Sequence, residues 1–472
     1  MEKVGILVIS YGSREAAFVD AFARSTNYKT ELYIIDKQRN PYNIRKAKEH
    51  NVISDLNIEA ITEFVRKRKD KIDFGIVGPE KPIVEGVRDL VEGKTHVPII
   101  CPTREFAIEA SKVAQRLLLD RVAPEANPKF KIFNPKDQGS TAALRKDVYA
   151  WLETLKNEAV VKPDRPAAGK GVGVWGDHFN TREELFDHVV ANYQHGAVVI
   201  EEKVEGEESS FQAFCDGKHI VPLPETRDYK RAFDGDEGPN TGGMGSYKSV
   251  GNILPFMEAE DREKEIELVY KLFRELRKKA SSTDLRGIPF YEAFMHTAGG
   301  PKVLENNSRP GDPEIQCLLP LLKDDFVDIC YRILEGNLTK VNIESKATVV
   351  IYKAPPNYGG YSTTFPNHMS ENEVNTPVDL TEVEKLCMKH EGDMHVYPGS
   401  METREDGKTY ALTSRAVCVV GTGGTIEEAR EISLKGVKAI TGGALWHRND
   451  IASREHIARS VEHMKRLRLQ RA

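Results

Sequence analysis

A chain of 472 residues with 40% hydrophobic and 29% charged residues has the composition of a soluble enzyme too long for one core, which predicts three or four lobes around a cleft. A net charge of −5 excludes general attraction to nucleic acid or anionic lipid, so any phosphate site must be local. Six scattered cysteines without a Cys-x-x-Cys pair offer no metal-like spacing and predict buried, reduced thiols in a cytoplasmic protein.

The opening residues MEKVGILVIS read as a strand; their apolar run is too short for a signal peptide, and no later run is long enough to span a membrane. Candidate strands at 5–10, 31–36, 74–77 and 97–101 alternate with helical patterns, which predicts a parallel, doubly wound α/β sheet over residues 1–102. Ligands of such sheets sit at the carboxyl ends of the strands, where residues 10–15, 36–43 and 78–82 gather. Gly12 and Asp36 stand where a dinucleotide fingerprint would have a glycine and an acid. The run Ser10-Tyr11-Gly12-Ser13-Arg14-Glu15 keeps only that one glycine, which excludes NAD. A helix is expected from 102 to about 122, then a small α/β unit ending near 193. A strand-rich block follows over 197–336, broken by a glycine-dense loop at 234–245. From about 347 the chain reads as a separate strand-rich lobe with a charged helix at 425–441. An amphipathic basic helix over 453–472 is expected to pack on that same lobe.

Three stretches carry chemistry. Lys162 closes the apolar run 159–161, and Ala167-Ala168-Gly169-Lys170-Gly171 follows at once, so small residues can let backbone N–H groups close over phosphates beside a lysine. This is not a P-loop, and taken alone such a turn is more often a plain hairpin. The run 198–209 drives an apolar strand into Glu201, Glu202, Val204 and Glu208, which suits an adenine edge and a ribose at the strand end. The strongest signal is Lys302-Val303-Leu304-Glu305-Asn306-Asn307-Ser308-Arg309-Pro310-Gly311-Asp312. Strand alternation puts Glu305, Asn307 and Arg309 on one face. A carboxylate beside an amide oxygen makes a hard-oxygen pair for Mg²⁺, and arginine can grip a carboxylate or phosphate. A helix is expected at 313–322, and the segment 228–245 is expected to be a long adaptable loop that closes over substrates.

Together and in this order, these pieces resemble the phosphoribosylamine–glycine ligase family of the ATP-grasp superfamily, its archaeal branch most of all. The resemblance rests on VGPEKPIVEGV at 77–87, VVKPDRPAAGKGV at 160–172, IEEKVEGEESSFQAFCDGK at 200–218, DYKRAFDGDEGPNTGGMGSY at 228–247, KVLENNSRPGDPEIQ at 302–316 and TSRAVCVVGTGGTIEEA at 413–429. It implies a Rossmann-like N-terminal domain (1–102), an ATP-grasp domain (103–336) with a mobile lid subdomain (about 125–195), and a small strand-rich C-terminal domain (337–472).

The resemblance also implies roles. Lys112 and Lys162 hold the ATP phosphates under a lid at 168–172, with Ala168, Gly169, Lys170 and Gly171 in it. Glu201, Glu202 and Val204 line adenine, and Glu208 holds the ribose. Glu305 and Asn307 bind Mg²⁺ or Mn²⁺, and Arg309 stands beside an acyl phosphate. Asp228, Lys230, Gly242, Gly243 and Met244 contact glycine and 5-phosphoribosylamine. Gly12, Ser13, Arg14, Glu15, Gly78, Pro79, Glu80 and Asp312 complete the substrate set. The implied enzyme is a monomer or homodimer with small-molecule substrates and neither nucleic-acid nor membrane partners. The chain departs from the family pattern at Ser10, Tyr11 and Ala16, at Arg227, and at Glu292, Asn306 and Pro310. The first of these fall on recognition of the phosphoribosyl group and leave open an ATP-grasp ligase with another amine acceptor.

Overall fold

The computed structural model describes residues 1–137, 140–165, 171–281, 283–287, 290–356, 358 and 374–470. The opening apolar run forms β1 (Glu2–Ser10), buried from Val4 onward. It is followed by α1 (Ser13–Ala23), β2 (Tyr28–Asp36), α2 (Pro41–Lys46), β3 (Glu49–Val52), α3 (Ile58–Arg66), β4 (Phe74–Val77), α4 (Glu80–Glu85), α5 (Val87–Thr95) and β5 (Ile99–Ile100). The strands form one parallel sheet in the order β3-β2-β1-β4-β5, as the alternation predicts. Side chains of this sheet enter two hydrophobic clusters, one on each face, which is why β1 reads as a continuous apolar run. Strand order reverses at β1, so a crevice opens between the turns that follow β1 and β4.

Gly78 sits in the second of those turns. A Cβ there would overlap the carboxylate of Glu15, which caps the first turn by accepting from Gly12 N at 2.8 Å and Tyr11 N at 3.1 Å. Gly78→Ala is therefore expected to destabilise the protein by about 1–3 kcal/mol, the usual cost of overpacking. A denaturant midpoint equal to that of the unmodified protein would show that Glu15 can move aside freely.

The helix expected from 102 starts later. Two 3₁₀ turns, Arg104–Phe106 and Ile108–Ala110, bury Phe106 and Ala107, and α6 (Lys112–Val122) begins where the Ser111 hydroxyl accepts from Ala114 N. Next come β6 (Phe130–Phe133), α7 (Thr141–Thr154), β7 (Ala159–Pro163), β8 (Gly173–Val174), α8 (Arg182–Tyr193) and β9 (Val198–Glu202). Their antiparallel sheet has the order β6-β9-β7-β8 and extends through Glu202.

The chain continues through β10 (Glu207–Asp216), β11 (Ile220–Pro222), β12 (Arg227–Asp228), β13 (Arg231–Phe233), β14 (Glu237–Asn240), β15 (Gly245–Lys248), α9 (Ala259–Arg277), β16 (Arg286–Gly287), β17 (Tyr291–Thr297) and β18 (Gly300–Asn307). The central sheet runs β11-β10-β17-β18, with β16 also paired to β10. The helix expected at 313–322 does not form. Pro320 removes an N–H inside it, and the segment makes 3₁₀ turns at Ile315–Cys317 and Leu319–Leu321 before α10 (Phe326–Glu335).

The C-terminal lobe holds β19 (Ala347–Lys353), α11 (Thr381–Lys389), β20 (Met394–Pro398), β21 (Met401–Thr403), β22 (Thr409–Ala411), β23 (Val417–Gly423), α12 (Ile426–Lys438) and α13 (Arg454–Leu469). Its sheet has the order β12-β15-β19-β23-β20 and so takes two strands from the glycine-dense segment. That segment, expected as an adaptable loop, is instead anchored on both sides, with the β13–β14 hairpin between the anchors. Asp236 accepts from Arg448 Nη2 at 2.9 Å and Arg459 Nη2 at 2.7 Å, and lies 2.7 Å from His456 Nε2. Helix α13 also holds β12 and reaches the central sheet: Ser460 Oγ accepts from Arg227 at 2.8 Å, and His463 Nδ1 lies 2.6 Å from Glu207 of β10. All six thiols are free, five buried and Cys387 half-buried. Among the described residues no helix is long and apolar enough to cross a membrane.

Candidate active site

Strand β7 ends with Lys162 pointing inward, its Nζ 2.9 Å from Leu304 O and 2.8 Å from Glu201 Oε2. Glu201 is gripped at both oxygens by Arg116 of α6, at 2.6 and 2.9 Å. Burial would raise the Glu201 carboxyl, yet Arg116 and Lys162 bring it below its ordinary range. Burial pulls the Lys162 ammonium below its own range against that carboxylate. The Glu201 side chain is thus taken up by Lys162 and Arg116, which leaves only its backbone for the expected adenine contact. Glu202 accepts from Lys129 N at 3.0 Å, and Val204 is half-buried beyond it. Lys112, at the start of α6, is buried and donates to Arg165 O at 3.2 Å. Ala168, Gly169 and Lys170 lie outside the described residues; Gly171 O lies 3.0 Å from His188 Nε2.

On β18 the alternation holds. Glu305 and Asn307 share a face, with Asn307 Nδ2 3.5 Å from Glu305 Oε1. Burial would raise the Glu305 carboxyl, but Lys112, Lys230, Lys162 and Arg309 overcome this and hold it at about 2. An ionised carboxylate beside an amide is a hard-oxygen donor set, so these two residues fit a small divalent cation. Asn306 turns to the other face and donates to Glu292, whose carboxyl burial pushes well above its range. The two departures at 292 and 306 are therefore paired with each other across adjacent strands.

Arg309 lies 3.3 Å from Glu109 and 4.0 Å from Glu80, against the Tyr291 ring. Lys230 pairs with Glu208, which joins the expected ribose contact to the expected substrate lysine. Burial and then Glu314 push the Asp228 carboxyl well above its range, and its Oδ1 has no hydrogen-bond partner among the described residues. At Gly243, where φ is +103°, a Cβ would strike that oxygen, so Asp228 lies directly against the Gly242–Gly243 turn. Met244 is buried behind it, its N–H donating to Tyr229 O at 2.7 Å.

Ser13, Arg14 and Glu15 lie beneath the first turn. Arg14 donates to Glu15 at 2.6 Å and to Pro310 O at 2.9 Å, and Ser13 bonds to the Tyr352 hydroxyl. Gly12 caps α1, and Pro79 caps α4, whose first residue Glu80 faces Arg309. Asp312 accepts from Tyr352 at 2.5 Å, Gln316 at 2.7 Å and Arg415 at 2.9 Å.

The sequence reading did not assign Arg415. It enters from the turn before β23 and donates to Gly242 O at 2.7 Å, Gly243 O at 3.0 Å and Asp312 O at 2.9 Å, as well as to the Asp312 carboxylate. It lies in the quoted run 413–429, but nothing local says that it reaches the glycine turn. Arg415→Met is expected to lower kcat/KM by about 10²-fold, the scale of a roughly 1 Å misplacement of reacting groups. Arg415→Lys should recover little, because one ammonium cannot span those acceptors. Full activity in Arg415→Met would detach Asp312 and the glycine turn from catalysis.

Known proteins resemble the chain along almost its whole length. The family model "Phosphoribosylglycinamide synthetase, N domain" matches residues 4–109, and "Phosphoribosylglycinamide synthetase, ATP-grasp (A) domain" matches 131–315. The phosphoribosylamine–glycine ligase of Methanocella arvoryzae is 36% identical over 471 residues, covering 98% of this chain and 99% of that one. That of Pyrococcus furiosus is 34% identical over 469 residues, covering 98% of each. The crystal structure of the Thermotoga maritima phosphoribosylamine–glycine ligase superposes with a TM-score of 0.72 at 25% identity, over 95% of this chain and 100% of that one. The N5-carboxyaminoimidazole ribonucleotide synthetase of the same organism, at a TM-score of 0.60 and 15% identity over 93% of this chain and 99% of that one, shares the fold alone. Full-length similarity to the ligases, both family domains and a lysine–carboxylate centre on the matching fold leave one assignment: the chain belongs to the phosphoribosylamine–glycine ligase family.

Proposed function

We propose that the chain joins glycine to 5-phosphoribosylamine with ATP, giving glycinamide ribonucleotide, ADP and phosphate in purine biosynthesis, through the residues placed above. The observation that carries the assignment of roles is the convergence of Lys112, Lys162, Lys230 and Arg309 on the ionised Glu305 beside Asn307. The glycine carboxylate attacks the γ-phosphorus, the bond to the β-phosphate oxygen breaks, and ADP leaves behind glycyl phosphate. The acceptor amine then attacks the acyl carbon, phosphate departs, and the amine loses a proton. Lys112 and Lys162 neutralise the transferring phosphoryl group in a water-poor setting where fixed charges act strongly. Glu305 and Asn307 would hold Mg²⁺ or Mn²⁺, which supplies further charge neutralisation to the phosphates. Arg309 orients the carboxylate and the acyl phosphate formed from it. Asp228, which lies against the Gly242–Gly243 turn and whose Oδ1 has no hydrogen-bond partner among the described residues, receives an amine hydrogen.

Phosphate release from ATP is the test, run with glycine and with or without freshly generated 5-phosphoribosylamine. Release that needs both, with glycinamide ribonucleotide found by mass spectrometry, is expected. Release with glycine and a different amine only would keep the ligase chemistry and discard this acceptor.

A further inference from the structure

The crevice at the carboxyl edge of the parallel sheet exposes little of the residues marked for it by sequence. Ser13, Arg14 and Glu15 are only 2%, 3% and 1% exposed, and their polar groups are engaged within the turn. What faces outward is Tyr11, 37% exposed at the end of β1, and the exposed Lys37, just past the end of β2. Lys37 Nζ stands 4.6 Å from the centroid of the Tyr11 ring. Among the described residues Lys37 has no carboxylate within ion-pair distance, so an ammonium is held on an aromatic face with its charge free for an anion. The platform is fixed from below: Gln38 Nε2 donates to Tyr11 O at 2.9 Å and to Gly399 O at 3.1 Å. Ser414, Arg415, Glu80 and Asp312 lie near enough to the Tyr11 hydroxyl to act on it. Tyr11 and Lys37 therefore stand at the same edge as Arg415, Glu80 and Asp312.

We propose that Lys37, held over the Tyr11 ring, is a specificity-determining contact for the phosphate of the amine acceptor. The proposal rests on the acceptor being a sugar phosphate, as in the function proposed above. Ligands of parallel sheets meet the protein at this edge, and of the two substrates bound away from the ATP lysines only the acceptor carries a phosphate. Tyr11 is also a departure from the family pattern, so this platform is a feature of this chain.

The test compares the unmodified enzyme with Lys37→Ala, Tyr11→Gly and Tyr11→Phe, varying each substrate in turn, with phosphoribosylamine made in the assay from ribose 5-phosphate and ammonia. The KM for phosphoribosylamine should rise roughly tenfold in Lys37→Ala, the worth of one charge-assisted hydrogen bond. It should rise also in Tyr11→Gly and stay unchanged in Tyr11→Phe, which keeps the ring face. The KM values for ATP and glycine and the kcat should not move. Calorimetry should show ribose 5-phosphate binding that is lost in Lys37→Ala. An unchanged acceptor KM in Lys37→Ala overturns the proposal, and so does an equal rise in all three KM values. If the unmodified enzyme binds ribose 5-phosphate through Lys37 yet ligates glycine only to another amine, the acceptor assignment falls while the phosphate contact stands.

Discussion

Glu305→Gln is expected to cut ADP formation with both substrates present by on the order of 10³-fold, the upper range for losing one preorganised charge contact at a reacting group. Glutamine keeps the size of the side chain and removes its charge. The ionised carboxylate is what four neighbouring cations stabilise, holding it at about 2 against its burial. It is also the stronger of the two oxygen donors on this face, since Asn307 offers only an amide. The protein should still fold, because Lys162 keeps Glu201, Lys230 keeps Glu208 and Arg309 keeps Glu109. ADP release measured beside a thermal melt separates the two effects. A near-normal rate in a folded variant would sink the assignment of Glu305 to the phosphoryl-transfer centre.

Glu201→Ala should do the opposite, failing first as a structure. Arg116 and Lys162 are both buried against this carboxylate, and removing it leaves two uncompensated cations. The expected cost is about 3–5 kcal/mol, as for other broken buried pairs. Its pH dependence has a fixed sign. The folded Glu201 carboxyl is depressed below its ordinary 4.5, so its contribution is complete above that value and lost as pH falls through the lower folded value. The stability gap between the two proteins should therefore narrow in acid. Denaturant melts at neutral pH and below 4.5 would show it. A gap that is small at neutral pH, or one that widens in acid, would mean that Glu201 does not carry the charge balance of the two cations.

Much of this was legible in the sequence because it is periodic. The parallel sheet followed from strands alternating with helices, and the shared face of Glu305 and Asn307 from the two-residue repeat of a strand. Where the reading went astray, a local rule met a local exception. Ser111 starts α6 later than the apolar periodicity suggests, and Pro320 breaks the expected helix at 313–322 into two turns. What could not be read were contacts over long chain distances. Nothing near Arg415 announces Gly242, and nothing near Glu201 says that Arg116 will hold its carboxylate. Nothing near Arg14 announces that it donates to Pro310 O, far along the chain. The exchange at 292 and 306 looked like two independent departures and is one hydrogen-bonded pair across adjacent strands.

The sharing of the C-terminal sheet bears on how members of this family could be recombined. A chimera joined near residue 336 would seem natural from the order of the lobes. It would part β15 from β19 and leave an open strand edge on each half, a ready template for aggregation. The side chains of α13 that hold Asp236, Arg227 and Glu207 would meet foreign partners as well. The transplantable unit is therefore discontinuous: residues 227–248 travel with 347–470 or not at all. The lobe spanning β6 to β9 is the reverse case, since all its sheet partners lie within one stretch of chain, and it could be traded between relatives as a single cassette wherever Arg116 is kept for Glu201.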